Sequence, residues 1–323
     1  MTTTDKLFCR GLTSKQMNAL AVAAVVSDHW WRDLLSLWKP SGVSSGEYGL
    51  RLAVRHGYLN FYRHGQSVAK VSFDGSHRPT LSVHAKYICN DDERGVVGQV
   101  YARLDDRGIS CKGLTSRAYE GLATVKAWID VVNRHYAKVG GEKPLIDQLL
   151  DNPANDGVID LEMGLPAWGS RRTAPRMDVV AVEEVEGTLT VIFGEVKRID
   201  DGRVRSSKAE PEVVNQLKKY ENYLTDPTNR DAIANAYSQT AISLLELAGM
   251  ARSVGAEITL SDTIRRAATT VPLNVARQAV LVILRPGDRG EGNWEDLHRP
   301  ALNGAVKFVE VRPGEAMNLG VVV

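Results

Sequence analysis

The stretch RMDVVAVEEVEGTLTVIFGEVKR, residues 176–198, decides how the chain folds. It reads as two apolar runs joined at Glu186–Gly187. Each run carries ionisable groups among its aliphatic side chains: Asp178 in the first, Glu195 and Lys197 in the second. Two such runs around a short turn containing Gly signal a β-hairpin. With Val185 opposite Thr188, the register runs back through Val182 opposite Val191 and Val180 opposite Phe193. It ends with Asp178 opposite Glu195. Directly opposed side chains have Cβ atoms about 4.5–5.5 Å apart. Two carboxylates at that separation repel and need a shared proton or a cation between them. A divalent ion held by the two carboxylates and the Val196 carbonyl, and completed by water, is an oxygen site of the kind Mg²⁺ takes, with Mn²⁺ as a substitute. Strand side chains alternate, so Glu195 and Lys197 share one face. An ammonium there can orient a metal-bound water and stabilise charge on an attacked phosphate. The plainer alternative leaves both acids at strand ends in water, with Lys197 as an ion-pair partner.

Outward from the hairpin, "GVIDLEMG" (157–164) reads as a preceding strand and "RQAVLVILRP" (277–286) as a later, fully buried one. Residues 115–137 form a helix opening at a Thr/Ser cap, and "KPLIDQLLDNP" a shorter one. "PEVVNQLKKYENYL" (211–224) is a helix with Pro in its first turn and Val213, Leu217, Tyr220 and Leu224 at helical spacing. "AVKFVEV" (305–311) and "LGVVV" (319–323) are expected as further strands. Upstream, residues 13–38 read as one helix in which Trp30 and Trp31 pack. Residues 48–87 read as three or four strands of an antiparallel meander.

This segment resembles the PD-(D/E)XK nuclease superfamily. The resemblance rests on Met177-Asp178, sixteen intervening residues, then Glu195-Val196-Lys197, in the order helix, strand, strand, strand, helix, strand. Gln216 and Tyr220, in "QLKKY" on the next helix, are similar to the QxxxY motif of that superfamily's exonuclease-like branch, and positions i and i+4 share a helix face. Met177 stands where the signature has Pro. The resemblance covers roughly residues 115–311. It implies a restriction-endonuclease-like α/β fold: a mixed central sheet flanked by helices, preceded by a smaller α+β N-terminal domain. The expected domains are 1–112 and 113–323, with a helical insertion at about 225–277. It further implies that Asp178 and Glu195 bind Mg²⁺, that Lys197 acts on the hydrolytic water, and that Gln216 and Tyr220 position substrate. Many family members also carry a Glu in or near the first helix or strand. Glu120 is placed ahead of Glu162 for that role.

Length, composition and charge leave room for this reading. The 323 residues suit about two domains. The net charge of +1 names no partner, so any basic face is local. No apolar run of about 18 residues predicts a membrane span. Cys9, Cys89 and Cys111 form no CxxC pair, which favours free thiols and a cytoplasmic location. Phosphate contacts are expected from Arg171, Arg172 and Arg176 before Asp178, and from Arg198, Arg203 and Arg205 after the site. Residues 51–90 hold six Lys/Arg against the single acid Asp74, interleaved with Tyr58, Phe61, Tyr62 and Phe73. Such a mixture either stacks bases or is the ordinary two-faced pattern of a half-buried sheet. His56, His64, His77 and His84 have no ligand-like spacing with Cys, so zinc is not expected.

The expectation is a metal-dependent nuclease acting on nucleic acid, DNA favoured over RNA by the resemblance, with defence, restriction or repair as its setting. A catalytically inactive nuclease-fold binding or assembly module is the alternative. A protein partner for the N-terminal domain and a homo-oligomer remain open. No Gly-rich phosphate loop, nucleophile elbow or HExxH supports another enzyme class.

Overall fold

A computed structural model describes residues 7–89, 100–105, 108–111, 116–138, 140–166, 176–205, 210–269, 272–287 and 290–323. The chain opens with α1 (Ser14–Val25), whose Thr13 and Gln16 form a reciprocal capping box. α2 (Trp30–Leu37) follows. The single helix expected over 13–38 is therefore two. Val26 leaves the first helix in an extended conformation, and His29 starts the second by accepting the Trp31 N–H at Nδ1. Trp31 is fully buried, as packing of the Trp pair required.

Six strands then form one antiparallel sheet in chain order: β1 (Arg51–Val54), β2 (Leu59–Arg63), β3 (Gln66–Phe73), β4 (Pro79–His84), β5 (Tyr101–Asp105) and β6 (Gly108–Ser110). The first four match the expected meander, and two more extend it. Period-two alternation sorts its side chains. Leu59, Phe61, Val71, Leu81, Val83 and Ala102 join the main hydrophobic cluster with residues of α1 and α2. The intervening positions carry hydroxyls, amides and cations.

Next come α3 (Leu122–His135), α4 (Glu142–Asp151), β7 (Val158–Gly164), β8 (Arg176–Val185), β9 (Thr188–Arg198), α5 (Glu212–Leu224), α6 (Pro227–Ser253), α7 (Asp262–Ala267), β10 (Asn274–Val275), β11 (Val280–Leu284), α8 (Arg299–Leu302) and β12 (Lys307–Val311). The second sheet has the order β12-β11-β9-β8-β7, with β10 also on β9. β7, β8 and β9 are antiparallel neighbours, while β11 joins β9, and β12 joins β11, in parallel. The chain is thus mixed α/β with two sheets. The final "LGVVV" is not a strand: Leu319–Val321 is a 3₁₀ turn, and the Leu319 and Gly320 N–H groups donate to the Glu183 carboxylate.

The hairpin has the expected register. Glu186 (φ 49°) and Gly187 (φ 78°) are both left-handed, as a two-residue I′ turn requires, and Val185 pairs with Thr188. Pairing continues through Val180–Phe193 to Val179–Gly194. The strands approach closely there: a Cβ on Gly194 would lie 2.7 Å from Val179 Cγ2. Beyond this pair stand Asp178 and Glu195.

The helical segment expected as an insertion lies between the two halves. α6 touches α1, α2 and β1 as well as α5, β7 and β10. A buried polar knot reinforces that seam. Asp160 on β7 accepts from Arg55 after β1, from Arg10 Nε at 3.3 Å and from the Tyr237 hydroxyl of α6 at 3.2 Å.

Candidate active site

β8 and β9 carry the acids to one end of the second sheet. Asp178, Glu195 and Lys197 are 8 %, 3 % and 2 % exposed, so their charges must be balanced locally. They share one face. Lys197 Nζ lies 2.6 Å from Glu195 Oε1 and 3.5 Å from Asp178 Oδ2. It also donates to its neighbour's carbonyl, Val196 O, at 2.6 Å. Asp178 Oδ2 accepts the Val196 N–H at 2.9 Å, which locks the two strand ends together.

α5 closes the opposite side. Its one-turn spacing brings Gln216 and Tyr220 to the acids together. Gln216 Nε2 donates to Glu195 Oε1 at 2.7 Å and to the Tyr220 hydroxyl at 3.1 Å. The Tyr220 hydroxyl donates to the Arg176 carbonyl at the start of β8 and lies 3.4 Å from Glu195 Oε2. Five of the expected residues, Asp178, Glu195, Lys197, Gln216 and Tyr220, are therefore linked in one chain of contacts through Lys197 and Glu195.

Glu120 is not among them. Gly121 (φ 65°) starts α3 without a side-chain cap, so the helix begins after Glu120. Glu120 is exposed, and its own N–H donates to Thr124 Oγ1. Two other glutamates lie beside the cluster instead. Glu162, at a left-handed φ of 47° on β7, meets Lys143 Nζ at 2.6 Å. Lys143 Nζ also lies 2.6 Å from Asp178 Oδ1 and so bridges the two acids. Glu142, in the first turn of α4, lies 3.7 Å from Lys197 Nζ. Glu142 carries no signal of its own in the sequence, since an acid in a helix's first turn has a sufficient local reason in the helix dipole, and Lys143 carries none either. The available signal was that α4, not α3, directly precedes β7.

The electrostatics divide the two central acids. Burial raises the Glu195 carboxyl, the Asp178 charge raises it further, and Lys197 and Gln216 only partly offset this, leaving it pushed up to about 7. Burial also raises Asp178, but Lys143, Lys197 and the Val196 N–H outweigh it and hold the group below the usual carboxylate range. Burial likewise raises Glu142. For Lys197, burial is outweighed by the surrounding acids, which keep it protonated.

The donor chemistry is all oxygen: the Asp178 and Glu195 carboxylates and the Val196 carbonyl. Two carboxylates and a carbonyl suit an Mg²⁺ ion that retains several waters. Among the described residues, no group of three or more His, Cys, Asp or Glu side chains is placed to hold a metal. The ammonium groups of Lys143 and Lys197 contact the same oxygens, so a bound cation would have to displace at least one of these contacts.

The expected phosphate-binding arginines separate into three kinds. Arg171 and Arg172 lie outside the described residues. Arg176 is exposed beside the site. The other three are committed to the protein. Arg198 is buried, donating to Asp200 and the Gly140 carbonyl. Arg203 Nε donates to Asp201 Oδ1 at 2.9 Å. Arg205 donates to the carbonyls of Ile199, Gly290 and Gly292. Arg198 and Arg205 thus tie loops together and do not form an open phosphate surface. Among the described residues no helix is long and apolar enough to cross a membrane.

A groove of about 810 Å³ adjoins the cluster. Its walls are the polar face of the six-stranded sheet on one side and Glu162, Gly164 and Arg176 on the other. Comparisons with protein-family models, with curated proteins and with solved structures found no match.

Proposed function

We propose that the chain is a Mg²⁺-dependent nuclease of the PD-(D/E)XK type, with Mn²⁺ as a working substitute. The observation that carries this reading is the convergence of Asp178, Glu195 and Lys197 at one buried strand end, with Gln216 donating to Glu195. The element order β7, β8, β9, α5 and, after the α6–β10 segment, β11 supports it, with α4 rather than the expected helix over 115–137 directly before β7. Asp178, Glu195 and the Val196 carbonyl would hold the ion. When bound, it would supply Lewis acidity toward a phosphate oxygen and a more acidic water. Lys197 places a fixed positive charge where negative charge develops on the phosphate. Gln216 fixes the rotamer of Glu195, and Tyr220 anchors the start of β8 through the Arg176 carbonyl. Nucleic acid is the substrate, and DNA is preferred to RNA on the resemblance alone.

One observation favours a second reading, a non-catalytic binding module. Lys143 lies 2.6 Å from both Asp178 and Glu162, and Lys197 lies 2.6 Å from Glu195, so each of these acids already has a cation beside it without a metal. Cleavage assays separate the two. Purified protein is incubated with plasmid, linear DNA and RNA in Mg²⁺, in Mn²⁺ and in EDTA, beside Asp178→Asn and Lys197→Met. The nuclease reading expects metal-dependent cleavage that falls by about 10²-fold or more in each variant. Undiminished cleavage in Asp178→Asn removes this site from the reaction. No cleavage of any substrate leaves the binding module.

A further inference from the structure

We propose that the polar face of the N-terminal sheet holds a single strand of nucleic acid and leads it to the acid cluster. Its choice of occupant rests on the nuclease reading. The groove's charge is one-sided: Lys70, Arg103 and Arg176 line it, and among the described residues Glu162 is its only acidic wall residue. Among the described residues these three cations have no carboxylate partner. Each lies on a different wall segment, β3, β5 or the start of β8, so together they track along the groove.

The aromatic residues of the meander divide by chemistry. Phe61 lies in the core, while Tyr58 and Tyr101 face the groove. Tyr101 is 48 % exposed, and Lys70 Nζ sits 4.3 Å above the Tyr58 ring. Between them the floor is built of short polar groups, Asn60, Ser72, Thr80 and Ser82, over which a chain can lie close to the sheet. A basic concave groove with exposed rings is how proteins hold single strands, the bases stacking on the rings and the phosphates meeting the cations. A duplex is instead read by an element that projects into its groove, and this surface is recessed.

The groove also has a direction. Glu162 lines it and shares Lys143 with Asp178. Arg176, on the same wall, stands two residues before Asp178 and holds Tyr220 through its carbonyl. A strand lying along the sheet therefore reaches the catalytic acids without crossing another element's surface.

The test is fluorescence anisotropy of the full chain in EDTA, so that binding is read without cleavage. The probes are a labelled oligothymidylate of about a dozen nucleotides and a duplex of the same length. Lys70→Glu and Arg103→Glu should each weaken single-strand binding by about tenfold and reduce the salt slope by about 0.7. Tyr101→Ala should weaken it by about fivefold or more. Arg103→Lys, which keeps the charge, should bind as wild type, which a folding defect would not allow. Arg134→Glu, the same charge change on an exposed position of α3, should leave binding unchanged. Duplex bound as tightly as the single strand overturns the proposal. So do groove variants that bind as wild type, or a loss in Arg134→Glu equal to theirs. Binding without cleavage in Mg²⁺ would refute the nuclease reading and leave the groove standing. Cleavage that is insensitive to Lys70→Glu and Arg103→Glu would do the reverse.

Discussion

Replacing Glu195 by Gln should stabilise the metal-free protein while abolishing the proposed metal-dependent cleavage. Glu195 is buried beside Asp178, and its carboxyl is pushed up to about 7 from an ordinary value near 4.5. A carboxyl raised in this way binds its proton more tightly folded than unfolded. Folding stability therefore falls as pH rises from about 4.5 to about 7, and the loss is complete above that window. At about pH 8 the ionised side chain costs the fold about 3 kcal/mol relative to a neutral one of the same shape. Gln supplies that neutral shape. The gain should shrink to about 1 kcal/mol near pH 5.5, where the native carboxyl is itself mostly protonated. For a chain of 323 residues, 3 kcal/mol corresponds to a rise of about 4 °C in Tm. Thermal melts of both proteins in EDTA at several pH values give the comparison. A Glu195→Gln protein less stable than wild type at pH 8 would refute the reasoning. It would show that the 2.6 Å contact with Lys197 outweighs burial and the Asp178 charge.

Four further outcomes follow from the same geometry. Lys143→Met removes the ammonium from Asp178 Oδ1 and should tighten Mn²⁺ binding in calorimetric titration; weaker binding would mean that Lys143 assists the ion. Gln216→Leu takes away the amide donor of Glu195 and should lower cleavage with a basic shift of its pH profile, since that hydrogen bond holds the carboxyl down. Gly194→Ala brings a methyl within 2.7 Å of Val179 Cγ2 and should destabilise the fold by about 1–3 kcal/mol in urea melts. Arg55→Met takes its closest cation from the buried Asp160, leaving Arg10, the Tyr237 hydroxyl and the Leu161 N–H among the described residues, and a loss of about 3 kcal/mol or more is expected by the same measurement.

How much of this was legible in the sequence depends on whether the determinants were local. The β8–β9 hairpin was readable because the two-residue turn at Glu186–Gly187 fixes every later pair, so the opposition of Asp178 and Glu195 follows from counting. Gln216 and Tyr220 were readable because a helix brings positions four apart onto one face. Glu120 was misplaced because a Thr/Ser run looked like a cap, whereas the left-handed Gly121 delays α3 until after it. Lys143 had no local signature at all. It meets Glu162 on β7 and Asp178 on β8 only once α4 packs against the second sheet, a contact between segments that no periodicity encodes. The arginines after the site were indistinguishable from a basic surface until the fold showed Asp200, Asp201 and several carbonyls taking up their donors. In the N-terminal sheet, alternation separates core from exterior on β3 and β4, whereas β1 and β2 are buried along their whole length. Only the placement of Glu162 and Arg176 across from the polar face turned that exterior into a groove.

Crystals soaked in Mn²⁺ would show whether this acid cluster takes up a divalent cation. An anomalous peak is expected about 2.1 Å from oxygens of Asp178, Glu195 and the Val196 carbonyl, with the Lys143 ammonium moved away from Asp178. The absence of any peak there, with Lys143 still bridging Asp178 and Glu162 at saturating Mn²⁺, would contradict it.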